Sequence, residues 1–160
     1  MNQLELTAIL KTAFTEDIGI EDMTSESVFT SDDTGTGLYT AKADGVLAGL
    51  QSIETGYHML DQSIEITLFK NDGDIVKKGD EIGEVKGSVR TLLTGERVIL
   101  NLIQHLSGIA SSTNEVITSL NDPSISIVDT RKTLAGLRSL QKYAVRCGGG
   151  KNHRYRLMMV

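Results

Sequence analysis

The sequence predicts a mixed fold of the α+β and α/β classes, and three stretches of the chain support this prediction. Residues 3–17 place apolar side chains at helical spacing and predict an amphipathic helix. Residues 37–85 contain short alternating segments between turn residues, which are typical of a small sheet. Residues 124–129 are rich in β-branched side chains and predict a strand, and a polar turn then leads into a helix over residues 134–146.

The elements of the first two stretches follow from local signals in chain order. The first helix is expected to end near Gly19, and its apolar face is formed by Leu6, Ile9, Leu10 and Phe14. The acidic, Ser/Thr-rich residues 21–36 predict an irregular connection, and residues 45–49 predict a tight turn before a helix from Gln51 to Leu60. Strands are predicted at residues 37–43, 63–69, 75–76 and 82–85.

A long apolar run after Thr94 predicts a buried core helix with Thr94 as its N-cap. Ser107 and Gly108 predict a break in this helix before a second helical stretch that ends near Leu120. We therefore place a domain boundary near residue 108. The two predicted domains are residues 1–108 and residues 109–160.

Composition excludes several classes of protein. With 160 residues, 39% hydrophobic and 23% charged, the chain is neither disordered nor fibrous. It contains no run of roughly 18 apolar residues, and its start lacks the basic and apolar regions of a secretory signal. Cys147 is the only cysteine, which excludes an internal disulfide and a cysteine-based zinc site. We expect a cytoplasmic protein with no membrane partner and no structural metal site.

Charge is distributed unevenly along the chain. All 21 acidic residues and 8 of the 16 basic residues lie within residues 1–129. Residues 130–160 contain the other 8 basic residues and no acid. This asymmetry indicates an anionic partner, which is either nucleic acid or a small molecule with several negative groups.

The predicted strand at 124–129 leads directly into two cations, Arg131 and Lys132, which follow Asp129 and Thr130. In barrels of alternating strands and helices, the loops after the strands form the active site. An arginine binds a carboxylate through two hydrogen bonds, and a lysine supplies a compact charge for carboxylate or phosphate. The alternative is a solvated turn with loose ion pairs.

Three glycines, Gly148–Gly150, precede a second polar run that contains His153 and Arg154. Glycine lets the backbone approach a ligand closely, so this segment is a candidate anion site. A flexible linker is the more common reason for three glycines, and His153 alone is equally typical of a hydrogen-bonded structural histidine.

Other basic residues and the cysteine allow functional and structural interpretations. Arg97 lies near the expected start of the core helix, where a cation is disfavoured, so it either pairs with a nearby acid or points at an anion. Along the last helix, Arg138, Lys142 and Arg146 repeat every four residues, and we expect this stripe to serve solubility and pairing with the acidic first domain. Cys147 is expected to be inert rather than an activated thiol.

Several of these motifs, in this order and spacing, resemble the quinolinate phosphoribosyltransferase family. The resemblance extends over nearly the whole chain, from residues 16–19 and 24–25 to Arg154. The motifs that carry it are Gly95-Glu96-Arg97, Leu100-Asn101, Leu106–Ala110, Asp129–Thr133, Gly136–Arg138, Lys142–Val145, Gly148–Gly150 and Asn152–Arg154.

The resemblance implies a fold, a reaction and a set of site residues. The implied fold is an N-terminal α/β sandwich domain followed by the beginning of an incomplete α/β barrel, in a homodimer with a shared active site. The implied reaction converts quinolinate and phosphoribosyl pyrophosphate, with magnesium, to nicotinate mononucleotide, pyrophosphate and carbon dioxide in NAD biosynthesis. Arg131, His153 and Arg154 would hold the carboxylates, Thr130 and Lys132 would line the cleft, and Arg97 would reach in from the other subunit.

Two departures from the family pattern qualify these expectations. Leu134-Ala135 replaces the usual Thr-Pro before the last helix, and residues 155–160 depart from the family after Arg154. A further lysine, the acidic residues for ribose and magnesium, and the glycine-rich phosphate loops have no counterpart here. The chain therefore resembles a truncated or frame-shifted form, for which we expect little activity alone and either aggregation or dependence on a dimer.

Two alternative functions remain open at this point. A related pyridine-linked or molybdenum-linked phosphoribosyltransferase-like protein would share the motifs and prefer another ligand. A non-enzymatic anion-binding or nucleic-acid-binding module would use the cationic tail. Nucleic acid is the less favoured partner, because only Tyr143 and Tyr155 are present in the tail to stack on bases.

Overall fold

The computed structural model describes residues 1–18, 28–30 and 32–153, and there the chain alternates helices with short strands. The helices are α1 (Gln3–Ile18), α2 (Gln51–Leu60), α3 (Val89–Leu120) and α4 (Arg138–Cys147). The strands are β1 (Thr34–Thr40), β2 (Gly45–Val46), β3 (Glu65–Leu68), β4 (Ile75–Val76) and β5 (Glu81–Ser88). The predicted mixed α/β class is confirmed, whereas the expectations for Gly19, for residues 21–27 and 31, and for Arg154 fall outside the described residues.

The first helix forms as the sequence predicts. The side-chain oxygen of Asn2 accepts the amides of Leu4 and Glu5 at 3.0 and 3.4 Å, which caps the amino end of α1. Its buried residues are Leu6, Leu10 and Phe14. Because these side chains repeat every four residues, one face of α1 is apolar and packs against α2 and α3.

The strands form two small antiparallel sheets. One has the order β1-β5-β3, and the other contains only β2 and β4. Strand β1 begins at Thr34, so the prediction of irregular structure up to residue 36 is wrong at its end. Residues 45–46, predicted as part of a turn, pair with residues 75–76 as β2, because pairing over long sequence distances is not visible in local turn signals.

Helix α3 is longer than predicted and has no break. It begins at Val89 rather than Thr94, and its 32 residues include Ser107 and Gly108. The hydroxyl oxygens of Ser107 and Ser111 accept the amides of Ala48 and Val46 at 3.0 and 2.8 Å. These polar side chains therefore satisfy the backbone near β2 and do not end the helix, and the domain division near residue 108 stays a prediction.

The apolar core surrounds α3. Its buried apolar residues face α1, α2 and the sheets, and they are Leu92, Val98, Ile99, Leu102, Ile103, Leu106 and Ala110. Gly95 lies against the Tyr57 ring, where a β-carbon would come within 2.8 Å of that ring, so the two helices approach closely. Among the described residues, no helix is both long and apolar enough to span a bilayer.

The strand predicted at residues 124–129 is only partly formed. Val128 and Lys151 make one parallel bridge, with the Lys151 amide donating to Ile127 O at 2.9 Å and the Asp129 amide donating to Lys151 O at 3.0 Å. Before it, the Asp122 carboxylate accepts the Ser124 amide, so the chain is still turning where the strand was expected. Residues 134–137 also form a turn, and α4 begins at Arg138 instead of residue 134.

Candidate functional site

A buried carboxylate joins the two segments in which the sequence predicted anion-binding residues. Asp129 accepts hydrogen bonds from the Lys142 ammonium, the Asn152 side-chain amide and the His153 backbone amide, the last at 3.0 Å. The side chains of Lys142 and Asp129 are only 1% and 3% exposed. The Asp129 carboxylate therefore connects the loop that follows residue 129 to the segment that follows Gly150.

The ionised form of Asp129 is favoured by these contacts. Burial alone raises the pKa of this carboxyl, but the hydrogen bonds from Lys142, the His153 amide and Asn152 outweigh burial and hold the pKa below its ordinary value. The site therefore contains a carboxylate whose negative charge is favoured by its contacts and which forms a buried ion pair with Lys142.

The cationic stripe predicted on α4 is wrong at its central residue. Lys142 is buried against Asp129, whereas Arg138 and Arg146 are exposed. The Arg138 Nε donates to Thr133 Oγ1 at 3.1 Å, and the Arg146 guanidinium lies 5.5 Å from the centroid of the Tyr143 ring. Helical spacing predicts which residues share a face, but whether that face meets solvent depends on a partner distant in sequence.

The loop that follows Asp129 is ordered by its own polar groups. The Lys132 amide donates to Thr130 Oγ1 at 3.2 Å, and the Thr133 amide donates to Arg131 O at 3.0 Å. The Arg131 Nε is buried and has no hydrogen-bond partner in the described part of the chain. A buried guanidinium N–H without a partner costs free energy, so this atom indicates a missing acceptor.

The triglycine segment is a packed turn and not a flexible linker. A β-carbon at Gly148 would lie 2.2 Å from Ala110 O, and one at Gly150 would lie 2.7 Å from a Val145 methyl group. Gly149 has a φ of +93°, a conformation that side chains other than glycine rarely adopt. The glycines therefore let the backbone pass close to α3, which delivers His153 to Asp129.

Two polar contacts of the Gln141 side chain fix the residues that lead into α4. The Gln141 side-chain amide contacts His105 Nε2 at 2.8 Å, and its oxygen accepts the Leu134 amide at 3.1 Å. The sequence gives no sign of the contacts of Gln141 or of the buried pairing of Lys142, and Asn152 stands out only as the first residue of the Asn152–Arg154 motif. Only Asn152 carried a local signal, because it directly precedes His153.

Arg97 lies apart from the cluster around Asp129. Since α3 starts at Val89, Arg97 is in the third turn of the helix, and the expectation of a cation at its amino end is wrong. The side chain is exposed and makes no hydrogen bond or ion pair with the described residues. It lies about 12 Å along the axis from His105, which contacts α4 through Gln141. Within one chain, Arg97 is therefore not joined to Asp129.

The residues predicted to bind substrate lie on an open surface. Thr130, Lys132 and His153 are exposed, and Arg131 is half-buried. One groove lies between the starts of α1 and α4, and another runs between β1 and α3. In the described part of the chain, neither groove is lined by the predicted substrate-binding residues, so the cluster around Asp129 is a separate surface.

Two further expectations concern metal ions and the thiol. Residues 1–18, 28–30 and 32–153 contain no group of three or more His, Cys, Asp or Glu side chains placed to hold a metal ion. These residues therefore form no magnesium cage of their own, whereas an ion carried by phosphate groups needs only one or two protein carboxylates. Burial raises the pKa of the Cys147 thiol, which disfavours the thiolate and agrees with an inert cysteine.

Comparison with family models matches almost the whole chain. Residues 22–107 match the N-terminal domain of quinolinate phosphoribosyl transferase, and residues 109–160 match its C-terminal domain. Together these matches extend from the acidic segment after α1 through the cluster around Asp129.

Individual relatives agree with the family models. The chain is 49% identical over 157 residues to a probable nicotinate-nucleotide pyrophosphorylase [carboxylating] of Bacillus subtilis, covering 98% of this chain and 54% of that protein. It is 38% identical over 151 residues to a mitochondrial quinolinate phosphoribosyltransferase [decarboxylating] of Nicotiana tabacum, covering 94% of this chain and 42% of that protein.

Solved structures support the same relationship. The crystal structure of NadC from Streptococcus pyogenes superposes with a TM-score of 0.96 at 41% identity, covering 99% of this chain and 56% of that one. The chain thus spans about half the length of the relatives it matches. Its sequence and fold establish that the chain belongs to the quinolinate phosphoribosyltransferase family.

Proposed function

We propose that this chain binds quinolinate and serves the transfer of a phosphoribosyl group to it, with decarboxylation, to give nicotinate mononucleotide, pyrophosphate and carbon dioxide. The observation that carries the proposal is the buried Arg131 Nε, which has no acceptor among the described residues and lies two positions after Asp129 in the chain. Relatives of the chain are named for this reaction. The Lys142 ammonium and the Asn152 side-chain amide already donate to Asp129, so Arg131, whose buried Nε lacks an acceptor among the described residues, is the group best prepared for an added carboxylate.

The residues suit the chemistry of a pyridine dicarboxylate. A guanidinium holds a carboxylate through two hydrogen bonds, so Arg131 fixes both the position and the plane of one ligand group. Lys132 and His153 are exposed on the neighbouring segments and supply further donors for the second carboxylate. Arg154 is proposed for the same role, and Thr130 is proposed to line the cleft.

These residues act by orientation and electrostatics. Holding the two carboxylates fixes the ring nitrogen relative to the incoming ribose carbon, which converts a collision into an oriented encounter. The same cations stabilise the charge that develops as pyrophosphate departs. When the carboxylate beside the ring nitrogen leaves as carbon dioxide, the electron pair of the broken C–C bond stays on the ring carbon, where the positive pyridine ring stabilises it until a proton from water replaces the lost group.

A second copy of the chain is proposed to complete the site. Arg97 is exposed, lies outside the cluster and has no partner among the described residues, which supports a role toward another subunit. We propose a homodimer in which Arg97 of one copy approaches Arg131 and His153 of the other. Phosphoribosyl pyrophosphate with magnesium is the proposed co-substrate, and the cytoplasm is the proposed location.

Calorimetric titration with three ligands tests the assignment. We expect the 160-residue chain to bind quinolinate and to bind nicotinate, which lacks one carboxylate, about tenfold or more weakly. The variant Arg131→Lys retains the charge but not the planar pair of donors, so its affinity for quinolinate is expected to fall by a similar factor. Lys77→Ala removes an exposed lysine that pairs with Asp44 and serves as the matched control.

The outcome distinguishes the proposal from its alternatives. Equal affinity for quinolinate and nicotinate, or an Arg131→Lys variant that binds like the unmodified chain, would contradict it. Tighter binding of a single-stranded oligonucleotide with steep salt dependence would favour a nucleic-acid module. The environment of Tyr143 argues against that module, because its hydroxyl donates to Asp72 at 2.6 Å and Arg146 lies beside its ring.

A further inference from the structure

Asp129 presents an electrostatic problem for any site that binds anions. It directly precedes Thr130 and Arg131, and it bonds to the backbone of His153. A free carboxylate at this position would repel a dicarboxylate and would pair with the cations that the ligand needs. The site therefore works only if this negative charge is neutralised and its oxygens are occupied.

The structure meets both conditions through groups that are not in the proposed ligand shell. Lys142 and the His153 amide donate to Oδ1 of Asp129, and the Asn152 side chain donates to Oδ2. Neither Arg131 nor Lys132 is among these donors. The ion pair is almost completely removed from water, so its attraction is screened little.

Lys142 also holds the segment that carries His153 by a second route. Its backbone carbonyl accepts the Asn152 side-chain amide at 2.8 Å. This bond does not depend on the lysine side chain, whereas the charge balance at Asp129 does. Substitution of the side chain therefore separates electrostatic neutralisation from part of the local packing.

We propose that Lys142 is a positioning residue of the anion site: it confines Asp129 to a buried ion pair and thereby leaves Arg131 and His153 available to the ligand. The proposal rests on the proposed function only in the choice of quinolinate as one ligand. The neutralisation of Asp129 by Lys142 matters in the same way for any multivalent anion that binds this cluster. Lys142 itself touches no ligand in this scheme.

A set of four variants tests the proposal: Lys142→Met, Asp129→Asn, the double variant and the control Lys151→Ala. Lys151 is an exposed lysine whose Nζ bonds Ser126 Oγ at 3.0 Å. Affinities for quinolinate and for sulfate, whose charge is constant, are measured by calorimetry well below the unfolding temperature of each variant. Thermal unfolding is measured in parallel.

We expect Lys142→Met to weaken both anions about tenfold or more, because Asp129 then competes for Arg131 and repels the ligand. The double variant is expected to recover most of the affinity, because the competing charge has been removed, although it stays less stable than the unmodified chain. Asp129→Asn alone is expected to bind sulfate at least as tightly as the unmodified chain. Lys151→Ala is expected to bind both anions normally.

Recovery in the double variant is the result that a merely structural role does not produce. An unchanged affinity in Lys142→Met, or no recovery in the double variant, would overturn the proposal. If Lys142→Met does not fold, Asp129→Asn decides, and a clear loss of sulfate affinity in that variant would count against the proposal. If the unmodified chain binds sulfate but not quinolinate, the proposed function fails and Lys142 is judged on sulfate alone, and if it binds neither, both proposals fail.

Discussion

The two halves of α3 are covered by regions that differ in chemistry. The first, here called the apolar region, is the contact of α3 with α1 and α2, where Leu6, Ile53 and Ile99 are fully buried. The second, here called the polar region, comprises residues 127–153 packed on the later part of α3. Its largest fully buried side chain is Lys142, with Leu140 equally buried beside it in sequence, while Val128 and Leu134 remain more than half exposed.

The difference shows how each region obtains a defined structure. Apolar burial is non-directional and tolerates small adjustments, so the apolar region depends on volume and shape. The polar region depends on matched partners, because a buried charge without its partner is strongly unfavourable. We therefore expect the polar region to respond more sharply to single substitutions that remove one member of a pair.

Removing the Lys142 ammonium is expected to have the largest effect on the polar region. Lys142→Met leaves Asp129 buried and unpaired, which costs about 3–5 kcal/mol of local stability. Hydrogen exchange followed by mass spectrometry should show loss of protection within residues 127–153 while α1 remains protected. Ile99→Ala, expected to cost about 2–5 kcal/mol, is the counterpart in the apolar region and should reduce protection in α1 as well.

The expected difference between the apolar and polar regions would be contradicted if both variants lost hydrogen-exchange protection to the same extent in every helix. If Lys142→Met and Ile99→Ala lower protection equally across α1 and α4, the two regions unfold as one unit. The apolar and polar regions would then differ in composition but would not have separate stabilities.

The close passage of the triglycine turn predicts the next largest effect. Gly148→Ala places a β-carbon against Ala110 O, so the turn must move away from α3 at a cost of about 1–3 kcal/mol. Gly108→Ala is the matched control in α3, because no atom lies within 4 Å of its added methyl group. That variant should gain roughly 0.5–1 kcal/mol from improved helix propensity. Urea unfolding measures both, and equal free energies for the two variants would contradict the packed turn.

Acid should weaken the polar region before the apolar region. Because the pKa of folded Asp129 lies below the unfolded value, its contribution to stability is complete above the ordinary aspartate pKa of about 3.9 and is lost as pH falls through the folded value. The difference in unfolding temperature between the unmodified chain and Asp129→Asn should therefore shrink as the pH is lowered from about 5 to about 2. This range spans the ordinary aspartate pKa. A difference that does not change with pH would show that Asp129 is not ionised in the folded chain.

Cys147 offers the smallest perturbation, because it reports on the polar region without a substitution. Burial raises the pKa of this thiol, so alkylation by iodoacetamide at neutral pH should be slower than alkylation of a free cysteine. In Lys142→Met the rate should increase as α4 opens, and in Ile99→Ala it should increase less. Rapid alkylation of the unmodified chain would contradict both the inert thiol and the packed end of α4.

The sequence predicts some elements closely because their signals are local. Helices α1 and α2 follow from apolar spacing and bounding turns, and α2 has the predicted ends at Gln51 and Leu60. The break predicted at Ser107 and Gly108 is wrong because serine polarity is used for hydrogen bonds to a distant backbone.

In the candidate site too, features with a local signal are predictable from the sequence, and features that depend on distant contacts are not. Arg131 and His153 are recognisable from their motifs, and the structure links their segments through Asp129. The burial of Lys142 is not predictable from helical spacing, because it requires an acid 13 residues away and the return of the chain after α4. Likewise, packing of Gly148 on Ala110 depends on how two helices meet, which composition does not contain.

The carboxylate of Asp72 gives the molecule a shared anchor. One oxygen accepts the Leu50 amide at 2.9 Å, immediately before α2, and the other accepts the Tyr143 hydroxyl of α4 at 2.6 Å. A short surface turn thus ties the start of one helix to the middle of another across the long central helix. Replacing Asp72 removes both bonds at once, so the seating of α4 beside the cluster around Asp129 can be altered from a turn that is distant from it in sequence.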